Sequence, residues 1–64
     1  MAITPKAARV NAGFTQVEAA DRLNISKSTL VNYELYRTTP DIETAQAMAA
    51  LYGVSVDDIR WKQK

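Results

Sequence analysis

Apolar residues fall along this 64-residue chain in five short clusters, each opened by a capping side chain and most closed by a turn former. Thr4-Pro5 begins the first, an N-cap followed by proline at the first helical position, and Gly13 is its left-handed stop beyond Asn11 or Ala12. Thr15-Gln16-Val17-Glu18 reads as a capping box. Ala19, Ala20 and Leu23 then supply the inward face of a second helix, which Asn24 ends. Ser26 caps a third helix running to about Leu35 or Tyr36. Arg37-Thr38-Thr39-Pro40 cannot easily continue it, because the residue before proline is pushed out of the helical region. Asp41 caps an alanine-rich fourth helix that ends near Tyr52, with Gly53 just past it. Ser55-Val56-Asp57-Asp58 caps a short fifth helix reaching about Trp61, and Lys62-Gln63-Lys64 is expected to fray. The pattern predicts one all-α domain over residues 1–64, five helices joined by short connections.

Composition agrees with that outline. Hydrophobic residues make up 47% of the chain and ten of them are alanine, which suits short helices packed closely. Two glycines and two prolines are too few for a many-turned β-sandwich or barrel. The absence of cysteine and histidine excludes disulfide frameworks, Cys/His zinc sites and histidine-based acid–base catalysis. No acidic constellation suggests a metal or a glycosidase centre, so neither an enzyme nor a cofactor is expected. The apolar stretches fall far short of the ~20 residues that cross a bilayer, and no signal-peptide core follows Met1. A cytoplasmic location follows as the expectation, without membrane contact. Charge says less: the net is +1, with five basic and three acidic residues in 1–40 and three against four thereafter. That balance neither demands nor forbids a polyanionic partner.

The spacing from Gln16 to Tyr33 is more specific. Ala20 lies where a larger side chain would hold two steeply crossing helices apart. Asn24 turns the chain, Ile25 plugs the corner, and Leu30 and Tyr33 face inward three residues apart. These are the constraints of a helix-turn-helix over about residues 15–36, with the C-terminal helices over about 41–61. At about 100° per residue, Ser28, Val31, Asn32 and Leu35 lie opposite Leu30 and Tyr33, with Lys27 at the N-terminal flank. Asparagine can pair with adenine, lysine with guanine acceptors, serine with either, and valine can touch a thymine methyl. An outward polar stripe is also the ordinary face of a surface helix, and both readings stay open at this point.

The run Arg9, Gly13-Phe14-Thr15-Gln16, Ala20, Leu23-Asn24-Ile25-Ser26-Lys27-Ser28-Thr29-Leu30, Tyr33-Glu34, Pro40, Glu43-Thr44, Ala49 and Leu51 through Ile59 resembles the Cro/repressor (XRE-like) helix-turn-helix family. The resemblance covers nearly the whole chain. It implies a compact five-helix, phage-repressor-like domain with its third helix in the major groove, and usually a dimer on a near-palindromic operator. It also implies roles: Gln16 on a phosphate, Lys27, Ser28 and Asn32 at bases, and Arg9 with Glu34 as a structural ion pair. The chain departs from the family at Asn24 and Tyr36, where glycine is usual, and at Leu35, where a polar residue is usual. A Tyr36 hydroxyl could replace the backbone's phosphate contact or its ring could cover the turn; Arg37, Thr38 and Thr39 offer further phosphate donors.

The expected function is a sequence-specific double-stranded DNA-binding regulator, bacterial or phage-encoded, a small Cro-like repressor that occludes a promoter. The rival reading is an antitoxin-like or other protein-interaction module, in which Val31 and Leu35 contact protein. Nothing after Ile59 is long enough for an effector or cleavage domain, so the chain is either complete and ligand-independent or a fragment. A homodimer, weak in solution and completed on DNA, would use Val54, Val56, Ile59 and Trp61, although the first three could equally close the core.

Overall fold

The computed structural model describes residues 2–62. Four α-helices follow in order: α1 over Pro5–Asn11, α2 over Gln16–Leu23, α3 over Lys27–Glu34 and α4 over Ile42–Tyr52. Each begins on a side-chain oxygen bonded to a backbone N–H three residues on, from Thr4, Thr15, Ser26 and Asp41 in turn. At α2 the box is complete, with Glu18 accepting back from the Thr15 N–H at 2.9 Å. Asn24 and Gly53 hold the left-handed conformation that closes α2 and α4.

Two expectations are corrected. The expected fifth helix is a single 3-10 turn, Val56–Asp58, so the described residues hold four α-helices. The Ser55 box does form, but Ile59 then goes extended and pairs in parallel with Ile3. The Ile3 N–H donates to the Asp58 carbonyl at 2.8 Å and the Arg60 N–H to the Ile3 carbonyl at 2.7 Å. Those bonds take the backbone groups a further helical turn would need. The third helix also stops earlier than expected, at Glu34, because Tyr36 turns left-handed with φ of 60°. Of the stretch expected to fray, Gln63 and Lys64 lie outside the described residues.

The core joins all four helices through Ala8, Ala19, Ala20, Leu30, Met48, Ala49, Tyr52 and Ile59. Half of these are alanines, so backbones approach closely. The largest wholly enclosed side chains among the described residues are Leu30, Met48 and Pro5, and truncating Leu30 or Met48 would cost about 2–5 kcal/mol. A scaffold this small leaves the outer face of α3 free for other work.

Candidate nucleic-acid interface

Helices α2 and α3 meet across a corner built by local chemistry. Ala20, 3% exposed, admits the crossing helix, and its carbonyl accepts the Ile25 N–H at 3.0 Å. Asn24 supplies the left-handed step at φ 59°, Ile25 packs half-buried against the core, and Ser26 caps α3 through the Thr29 N–H at 3.1 Å. Leu30 is fully buried and Tyr33 half-buried beneath them.

The opposite face of α3 is the candidate contact surface. Lys27 and Ser28 are exposed, and Val31 and Asn32 are half-buried. These four line a shallow open cavity of about 320 Å³ together with Arg37. Arg37 is brought there because its N–H bonds the Asn32 carbonyl at 2.9 Å, folding the chain back beside the helix end. Lys27 occupies the first position of α3, where no acidic residue shares the turn. A cation there works against the helix dipole by a few tenths of a kcal/mol, roughly, and adds to the positive potential an anion meets. That arrangement serves an anionic partner better than it serves the helix.

The remaining residues of the interface are placed differently from one another. Thr38 and Thr39 are exposed beyond Arg37 but do not line this cavity. Tyr36 donates its hydroxyl to the Arg60 carbonyl at 3.1 Å, which leaves no proton for a phosphate oxygen. Leu35 is 54% exposed at the end of α3.

Beneath that end lies a bonded cluster of charge. Arg9 Nε donates to Glu34 Oε2 at 2.7 Å and Nη2 to Oε1 at 3.3 Å. The two side chains are 8% and 3% exposed. Gln16 Nε2 also donates to Oε1, at 3.0 Å, a link that sequence spacing gave no sign of. Tyr52 packs nearby, its hydroxyl buried and without a partner among the described residues. Burial first, and the Glu34 charge second, push its pKa up to about 12 against a smaller opposing effect of Arg9. Among the described residues no three acidic side chains gather as a metal site would require.

The residues expected to meet a second copy divide. Ile59 is 4% exposed in the core and has almost no surface left to offer. Val54 is half-buried against the core. Trp61 is half-buried too, and its indole N–H donates to the Val56 carbonyl at 3.0 Å. Val56 and Trp61 nevertheless border a second, mostly apolar groove of about 280 Å³ with Pro40, Ala45 and Ile42. Ile42, which sequence reasoning did not single out, is the most exposed large hydrophobic among the described residues, at 66%. Ile42 stands three and seven residues before the core residues Ala45 and Ala49, so helical spacing alone does not mark it as exposed.

A capped helix pair turned at a left-handed asparagine, with its second helix presenting a polar outer face, defines a helix-turn-helix protein. A family model of the helix-turn-helix matches residues 6–59, and the chain belongs to that family in its Cro/repressor (XRE-like) form. It is 44% identical over 59 residues to the HTH-type transcriptional regulator ImmR of Bacillus subtilis (strain 168), covering 92% of this chain and 46% of that protein. It is 37% identical over 54 residues to an immunity repressor protein of Bacillus phage phi105, covering 84% of this chain and 38% of that protein. The chain thus spans less than half the length of these two curated relatives. No helix among the described residues is long and apolar enough to cross a membrane.

Proposed function

We propose that this domain binds double-stranded DNA with α3 in the major groove and represses transcription by occupying a promoter. The observation that carries the reading is the joint cavity of Lys27, Ser28, Val31, Asn32 and Arg37 on the outer face of a helix-turn-helix. Lys27, Ser28, Val31 and Asn32 read base edges, while Gln16, Arg37, Thr38 and Thr39 take the backbone. The names of the two relatives, a transcriptional regulator and an immunity repressor, support regulation as the outcome. Their sources, a bacterium and a phage, support a bacterial or phage-encoded protein working in the cytoplasm.

One α3 offers three or four base-reading side chains, too few to select a site in a genome. Two copies on a near-palindrome, with half-sites about 34 Å apart, double the contacts. The groove at Pro40, Ile42, Val56 and Trp61 is the apolar surface such a dimer would cover. Selection of bound sites from random DNA, followed by titration at rising salt, tests the reading. A DNA reader yields one enriched sequence and a steep loss of affinity with salt. Failure to enrich any sequence, with little affinity at any salt, would favour a protein-interaction module.

A further inference from the structure

Glu34 ends α3 with its carboxylate almost enclosed, yet three donors converge on it from two different helices. Two belong to Arg9 and make the ion pair. The guanidinium is steadied from its other side by Nη1, which donates to the Phe14 carbonyl at 2.8 Å. The third donor, Gln16 Nε2, is not needed to neutralise anything. A glutamine amide carries two N–H donors and a carbonyl, and Glu34 engages one N–H. Gln16 is half-buried at the first position of α2, so part of it still faces solvent.

We infer that Glu34 is a positioning residue for DNA backbone recognition, holding the Gln16 amide in the orientation that meets a phosphate. The inference rests on the proposed role of Gln16 at a phosphate. A free glutamine loses rotamer freedom when it docks; one already bonded to Glu34 has lost that freedom on folding. A bare carboxylate next to a phosphate would repel it. Two charge-assisted bonds from Arg9 cancel that charge, so Glu34 orients Gln16 without driving the anion away. Order thus passes from the buried pair to the outer end of α2.

The test replaces both buried charges at once, Arg9→Met with Glu34→Leu. Apolar substitution of a whole buried pair is commonly tolerated, and net charge is unchanged. Urea melts first establish that the variant folds. The selected DNA site is then made with single neutral methylphosphonates in place of each phosphate. In the wild-type protein one position per half-site should lose about tenfold in affinity, a loss absent from Gln16→Ala. In the double variant that loss should shrink to about twofold, while the Arg37-dependent position keeps its own. Glu34→Gln, equal in shape with a neutral oxygen, should fall between. A full position-specific loss retained in both Glu34 variants would overturn the inference. So would Gln16 side-chain NMR signals in the DNA-free protein that do not move when Glu34 is replaced. Signals that move, without any Gln16-dependent phosphate, would leave the bond standing but overturn the role of Gln16 at DNA and this inference with it.

Discussion

Asn32 and Arg37 line one cavity and are joined through backbone, yet a duplex would ask different things of them. Asn32→Ala should cost roughly 1–3 kcal/mol on the best site and relax the choice at one base pair. A guanidinium on a phosphate is blind to sequence, so Arg37→Ala should weaken all sites alike and lower the salt slope by about one. Titrations on the selected site and on single-base variants separate the two, and unchanged preference at every position would remove Asn32 from the base readers. Tyr52 tests the core instead. Its hydroxyl is buried without a partner, so Tyr52→Phe should leave stability at neutral pH unchanged or raised. The folded pKa of about 12 lies above the ordinary 10.0. Tyr52 therefore contributes stability that is full below about pH 10 and is lost as pH rises toward 12. Urea melts across that range should show the decline flattened in Tyr52→Phe; a loss beyond about 1 kcal/mol at neutral pH would mean that the hydroxyl has a partner.

At the scale of elements, the helix starts were legible because capping is local. Thr4, Thr15, Ser26 and Asp41 each bond a donor three residues away, well within reach of sequence reasoning. The outer stripe of α3 was legible for a similar reason, since helical spacing alone separates Ser28 and Asn32 from Leu30 and Tyr33. What escaped depends on distant partners. Tyr36 turns left-handed against a contact with Arg60, and Ile59 leaves the helical path to pair with Ile3. The bond between Gln16 and Glu34 and the exposure of Ile42 likewise belong to assembly and not to spacing. A left-handed conformation costs a residue with a Cβ roughly 1–2 kcal/mol, and glycine escapes that cost. Tyr36→Gly should therefore be more stable than Tyr36→Ala by about 1 kcal/mol in urea melts. Equal stabilities would mean that the turn relaxes out of the left-handed region once the ring is gone.

At the scale of the whole molecule, the groove by Ile42 is the place to test assembly. Ile42→Glu puts a charge on its most exposed apolar wall while sparing the core, since Ile42 is 66% exposed. Cooperative binding to a two-half-site operator should fall, and affinity for a single half-site should hold. Equal losses on both would place Ile42 on the DNA side, and no loss on either would place it outside the complex. The pairing of Ile3 with Ile59 has another consequence, one of timing. It joins two segments far apart along the described chain, so its formation must close a long loop. Contacts of that kind form late and open early. Hydrogen exchange should find the Ile3 and Arg60 amides, at 2.8 and 2.7 Å from their acceptors, released by local opening. The Leu30 amide in α3 should exchange only when the whole domain unfolds. On that ordering, the pairing of Ile3 with Ile59 is a clasp that opens many times for each time the helix-turn-helix comes apart.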